Sequence, residues 1–220
     1  MNIEIKELFD LNHTIAKNYL SQFKYPWEAL KGIKDLIIEL GSKLDKNEFN
    51  EAKPNVWIHK TAEVFESAYI GEYTIIGKNT EVRHSAFIRG AALIGDSVVI
   101  GNSVEVKNAI IFDNAEIPHF NYVGDSILGF HAHMGAGAIT SNIKSDKKNI
   151  VIHNEGNDIK TDLRKIGAFL GDNVEVGCNS VLNPGTIVGR CTNIYPLSNV
   201  RGVISANSIY KNGILVKNIL

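Results

Sequence analysis

The sequence predicts an all-β solenoid built of six-residue repeats, with a small helical cap at its N-terminus. Three observations carry that reading. Counting by six from Ile58 lands on Val64, Ile70, Ile76, Val82, Ile88, Ile94, Ile100 and Val106, every one a β-branched aliphatic. Four residues after each stands a small or β-branched companion: Ala62, Ala68, Thr74, Thr80, Ala86, Ala92, Val98, Val104 and Ile110. The first 50 residues carry a helical period instead. Six is neither the helical period nor a simple strand alternation; it describes one short strand plus one turn. Three such units close a triangular coil of about 18 residues, with the aliphatics stacked inside rung on rung.

Residues 1–50 form the expected cap. In "YPWEALKGIKDLIIELGSKL", Ala29, Leu30, Ile33, Leu36, Ile37 and Leu40 fall on one helical stripe. Pro26 suits its start and Gly41 its stop. A second helical segment is expected over 12–23, and the cap is expected to cover an exposed end of the solenoid. "NEFNEAKPN" reads as a polar linker into the β-solenoid, which takes residues 51–220. Asn79 and Asp96 fall near turns, where residues that tolerate left-handed backbone are useful. After Val106 the rhythm breaks: Ile111 comes five on, Ile117 and Val123 six on, Leu128 five on and Met134 six on. Two coils are each one residue short. "IKSDKKNIVIHNEGNDIKTDLRK", residues 143–165, carries no register and reads as an extended polar loop. Loops of that length in compact domains are usually functional or disordered. The register resumes at Leu170 and runs through Val176, Leu182, Val188, Ile194 and Val200. The chain end, "GILVKNIL", is apolar enough to be packed.

The break coincides with reactive side chains: Lys107, His119 and Tyr122. Histidine titrates near neutrality and suits a general base. Arg89 offers a planar fork and Lys107 a point charge, a pair suited to phosphate. They are 18 residues apart, so the period stacks them on neighbouring rungs. The plainer alternatives are an exposed charge ladder for that pair and a solvated turn residue for His119. The shortened coils are expected to turn these side chains out of the stack and into a cleft.

The stretches "RGAALIGDSVVIGNSVEVKN", "HFNYVGDS" and "MGAGAITSN" resemble the C-terminal acetyltransferase domain of the bifunctional enzymes that make UDP-N-acetylglucosamine. "TDLRKIGAFLGDNVEVGCNSVLNPGTIVG" looks like the archaeal-type sugar nucleotidyltransferase version of that domain. The resemblance covers roughly residues 55–200. It implies a left-handed parallel β-helix of hexapeptide repeats and acetyl-CoA-dependent N-acetylation of an amino-sugar 1-phosphate, glucosamine 1-phosphate in type. It implies His119 as catalytic base and Asn142 at the amine and acetyl end. Arg89 and Lys107 would hold the 1-phosphate, with Tyr122, His133 and Lys148 as further substrate contacts. Gly135, Ala136, Gly137 and Cys178 would meet acetyl-CoA, a backbone N–H of the Gly135, Ala136 and Gly137 stretch or of a neighbouring subunit facing the oxyanion. No metal is required for that transfer. The family's sites lie between the subunits of a trimer, so a homotrimer is expected. Three positions depart from the bacterial pattern: His133 replaces an asparagine, Ile143 a tyrosine, and Cys178 sits near a serine. The glycine-rich signature of the nucleotidyltransferase half is missing, so no uridylyl transfer is expected of this chain.

Composition bounds the partners. The chain is 44% hydrophobic and 21% charged with a formal net charge of −1, so no global basic field points to nucleic acid or an acidic membrane. The acidic start "MNIEIKELFD" differs from a signal peptide, and no stretch approaches the roughly 20 apolar residues of a membrane span. Cys178 and Cys191 have no metal-type spacing, and a cytoplasmic protein is expected. Two rival functions compete. One is a non-catalytic binding or assembly module derived from the same enzymes. The other is a zinc site of the β-helical carbonic anhydrase kind, drawing on His84, His119, His131 and His133.

Overall fold

Each side of a coil has to send one aliphatic inward and then turn, and the chain does so by using left-handed backbone at its corners. The computed structural model describes residues 1–217. They wind as a left-handed parallel β-helix, flanked along one side by short helices. Ile76, Val82, Ile88, Ile94, Ile100 and Val106 stack in its interior, followed by Ile111, Ile117, Val123, Leu128 and Met134, and later by Leu170, Val176, Leu182, Val188, Ile194 and Val200. Both registers and both five-residue steps read from the sequence are thus interior positions. The corners carry positive φ at residues such as Asn79, Ser97 and Asn114 along one edge, and Tyr73, Ala91, Asn108 and Asp125 along another. Asp96 is not itself left-handed; Ser97 is, and the Asp96 carboxylate instead accepts the Lys78 N–H of the coil before at 2.7 Å.

The missing residue is lost at a single corner. Ile88 pairs with Val106, but Gly90, not Arg89, pairs with Lys107, and the ladder then runs on as Ala92 with Ala109 and Ile94 with Ile111. Arg89 is therefore left without a counterpart, which corrects the expected stacking of Arg89 on Lys107. Gly90 takes φ +119, and a Cβ there would run into the Glu72 carbonyl oxygen. From Lys107 on, the next coil follows in step: Lys107 faces Gly124, Ala109 faces Ser126, and Ile111 faces Leu128. The second five-residue step therefore repeats the geometry of the first. Ala109, not Ile110, is the small companion inside the stack, and Ile110 points outward. The strands Phe87–Ile94, Glu105–Ile111 and Tyr122–Leu128 run unbroken around this corner. One coil earlier the same path is split into Tyr69–Ile70 and Thr74–Ile76.

The helices cover a face, not an end. Outward-pointing Ile75, Leu93, Ile110, Ile127, Phe169 and Ile187 form a second ladder, and Ala29, Leu30, Ile33, Leu36 and Ile37 pack against it. Burying this apolar ladder, rather than closing an open edge, is what holds the cap in place. The stripe is a 3₁₀ segment Pro26–Gly32 running into an α-helix Ile33–Gly41. Around 12–23 the structure forms only a short 3₁₀ turn, Leu11–His13, and a one-turn α-helix, Lys17–Leu20. The ends are closed by antiparallel strands instead. Phe49–Lys53, read as linker, pairs with Val56–His59, and Ile214–Lys217 pairs with Ser208–Lys211. Ile214, Leu215 and Val216 stay exposed, so that segment is paired but not packed; the last three residues of the apolar tail lie outside the described residues.

The 143–165 segment is not structureless. A bridge between Ile143 and Lys165 closes its base, and a hairpin of Val151–Asn154 with Asn157–Lys160 projects from it. Ile150 and Ile152 are buried in the outer apolar layer. The insertion leaves and re-enters the coil at one point, so the stack resumes with Leu128 beside Leu170.

One residue inserted between Lys107 and Asn108 would restore a full-length coil. Far-ultraviolet circular dichroism and a cooperative melt should persist, because the interior stack can accommodate either length, while the melting midpoint should fall as the corner side chains leave their places.

Candidate functional site

The shortened corner stacks three polar residues one coil apart. Asn108 Nδ2 donates to Asp125 Oδ1 at 2.8 Å, and Asn142 Nδ2 donates to Asp125 Oδ2 at 2.6 Å. Lys107 Nζ approaches the same Oδ2 at 3.1 Å, and the Asp125 backbone oxygen accepts the Gly167 N–H at 2.8 Å. Asp125 is only 5% exposed. A carboxylate buried that far is tolerated because two carboxamide N–H donors and one ammonium satisfy it. Asn142 also donates to the Tyr122 hydroxyl at 3.0 Å. Burial raises the Tyr122 phenol above its ordinary value, and the carboxylates of Asp125 and Glu105 push the same way. The phenol therefore stays protonated, and with its oxygen accepting from Asn142 its own hydrogen can serve a ligand.

Arg89 reaches the same neighbourhood by another route. Its guanidinium bonds Glu105 at 2.8 Å, which holds it more firmly protonated, and Glu105 faces Tyr122 across the ladder. Lys107 and Arg89 thus each carry a carboxylate partner within the chain.

His119 occupies the opposite corner of the same face. It ends the strand Glu116–His119, is exposed, and makes no side-chain hydrogen bond among the described residues. Its carbonyl accepts the Gly137 N–H at 3.0 Å; the Ala136 carbonyl accepts from Asn179, and the Cys178 carbonyl accepts from Leu197. His119, Ala136 and Cys178 therefore form one column along this edge. Gly135 and Gly137 spend their N–H groups on Val176 and His119, so they do not supply the expected oxyanion donor. Among the described residues, Ala136 is the member of that stretch whose N–H has no protein partner.

Two expected site residues lie elsewhere. His133 sits on the adjoining face, between Glu116 and Glu175 in the ladder, with Nδ1 at 2.9 Å from Glu175 Oε2. Lys148 is exposed in the insertion, its N–H donating to Asp146 at 3.0 Å, and it does not line the cavity beside Asp125. His119 and Asn142 do not touch within one chain. Nor do His84, His119, His131 and His133 converge, and no group of three or more metal-ligating side chains forms among the described residues.

Asn108 and Asp125 were missed in the sequence. Their signal is the polar ladder Asn108, Asp125, Asn142, visible only when the count follows the shortened coil. Asp125→Asn should cost about 3 kcal/mol in urea unfolding, because it leaves the Lys107 ammonium, 20% exposed, without its charge partner. Adding Lys107→Met should recover part of that loss.

No helix among the described residues is long and apolar enough to cross a membrane. Curated relatives match part of the chain in sequence. The bifunctional sugar-1-phosphate nucleotidylyltransferase/acetyltransferase of Sulfurisphaera tokodaii is 34% identical over 101 residues, which is 46% of this chain and 25% of that protein. The bifunctional protein GlmU of Methanococcus maripaludis strain C7 is 37% identical over 107 residues, 48% of this chain and 26% of that protein. The match thus spans about a quarter of each relative. Among solved structures, the acetyltransferase domain of PglB from Neisseria gonorrhoeae is similar over 82% of this chain and 60% of that one, at 15% identity and a TM-score of 0.35. A family model described as the GMPPB C-terminal domain matches residues 79–192, which include the corner cluster, His119 and His133. By that match, over more than half its length, the chain belongs to the GMPPB C-terminal domain family.

Proposed function

We propose that the protein is an acyltransferase that moves the acetyl group of acetyl-CoA to the amine of an amino-sugar phosphate, glucosamine 1-phosphate in type. One observation carries the reading. A single face is bounded at one corner by an unpartnered imidazole and at the other by a preorganised carboxylate–carboxamide–phenol cluster. Between them Tyr122 lines up with Glu105 and Ile139 in a short ladder.

The chemistry follows from the groups. An ammonium cannot attack a thioester, so the His119 imidazole takes a proton from the amine as the nitrogen adds to the carbonyl carbon. It returns that proton to the departing thiolate as the tetrahedral species collapses. The Ala136 N–H, one coil on from His119 and without a protein partner among the described residues, would meet the oxyanion. Tyr122 and Asn142, locked by Asp125, orient the sugar hydroxyls, since rotamers fixed by hydrogen bonds hold a substrate without paying for ordering. His133 and its Glu175 partner lie on the next face, so a neighbouring copy docked on the flat side of the solenoid would bring them to the substrate. The active assembly in this reading is a homotrimer, and the relatives' names, both of bifunctional proteins and one carrying "acetyltransferase", support the reaction class.

The test is CoA-thiol release from acetyl-CoA with glucosamine 1-phosphate. His119→Ala should lower kcat by about 10²–10⁴ while the melting temperature stays put, because the imidazole holds no other side chain. No release with any amino-sugar phosphate would remove the reading in favour of a binding module. Light scattering should give three times the 24.2 kDa of the chain.

A further inference from the structure

A cavity of about 520 Å³ opens on the far side of the corner cluster, between the solenoid, the insertion and the helical cap. Asn108 and Asp125 line it from the solenoid, Arg164 and Lys165 from the base of the insertion, and Leu30 and Lys31 from the cap. Its charge is unusual for a chain of net −1. Lys31, Arg164 and Lys165 form no ion pair among the described residues. The Asp125 carboxylate is committed to Lys107, Asn108 and Asn142. Arg89 and Lys107 are each committed to a carboxylate. The uncompensated positive charge therefore lies on the cap side of Asp125. The volume falls within the range of small-molecule sites, roughly 300–1,000 Å³, and exceeds what one inorganic anion needs.

We propose that this cavity holds the phosphoryl group of the acceptor, through Lys31, Arg164 and Lys165, with the sugar extending past Asp125 toward Tyr122. The helical cap then supplies a binding residue, Lys31, from outside the region that the family model covers. The proposal rests on the acetyl-transfer reading only for the identity of the acceptor. A phosphoryl group could belong to a sugar 1-phosphate or to a nucleotide-linked sugar, and both present the same anionic chemistry to the three cations.

Isothermal titration with glucose 1-phosphate and with UDP-glucose tests this, because neither carries an amine and neither can react. Wild-type protein should bind at least one of them, more weakly as salt is raised. Lys31→Glu should weaken that binding by about ten- to hundredfold, the loss of one charge-assisted contact, and Arg164→Ala should do so independently. Lys31 is exposed on the cap, so its variant should melt with the wild type. Whichever ligand binds more tightly identifies the phosphate as terminal or bridging. Failure of the wild type to bind either ligand, or variants that both bind as tightly as the wild type, overturns the proposal. CoA release in the absence of such binding would remove the cap-side site and leave acetyl transfer standing. Binding that the variants lose, in a protein that acetylates no amine, would do the reverse.

Discussion

The interior stack of β-branched residues is the constraint on which the rest of the molecule depends. One aliphatic per side must point inward, and every coil must hand its N–H groups to the coil beside it. Gly77 donates to Ile94, Gly95 to Ile111, Phe112 to Leu128 and Gly129 to Leu170. Buried backbone groups left unpaired are costly, so change is confined to places where the ladder can be rejoined. A corner can lose one residue because Ile94 still meets Ile111 and Ile111 still meets Leu128. An insertion can leave the coil only if it returns to its starting point, as the bridge of Ile143 with Lys165 ensures.

That freedom at corners is what the candidate site exploits. Removing a residue beside Lys107 puts Asn108, Asp125 and Asn142 in one column, where each completes the hydrogen bonding of the next. A buried carboxylate on an isolated loop would be a liability; on this rigid edge it becomes an anchor for a lysine, two carboxamides and, through Asn142, a phenol. His119 takes the opposite corner, exposed and without a side-chain hydrogen bond among the described residues. One face thus joins a fixed, hydrogen-bonded end to an end with an exposed imidazole, and strand geometry, rather than loop conformation, sets their separation.

The helices complete this arrangement from the outside. They turn a ladder that would face solvent into a second core, with Trp27 and Phe169 rings 6.4 Å apart across it. The same packing suspends Leu30 and Lys31 over the cavity beside Asp125. The cap is therefore coupled to the site through one continuous apolar layer, which also takes in Ile150 and Ile152 of the insertion.

Sequence by itself determined the solenoid, both registers, the two short coils and the helical stripe, because each follows from a local period that interior packing enforces. The face covered by the cap was also legible, though unread: Ile75, Leu93, Ile110, Ile127, Phe169 and Ile187 are apolar at positions that should meet water. Tertiary structure decided what local spacing cannot. Arg89 and Lys107 are 18 residues apart yet do not stack, because the residue lost at the corner shifts the ladder between them. Asp125 and Asn108 became the hub of the cluster, and His133 went to another face, because side-chain position at a corner depends on accumulated register and not on the motif in which a residue stands. Lys31 came to Asp125 for a similar reason: apolar burial placed the cap, and no contact near in sequence could announce it.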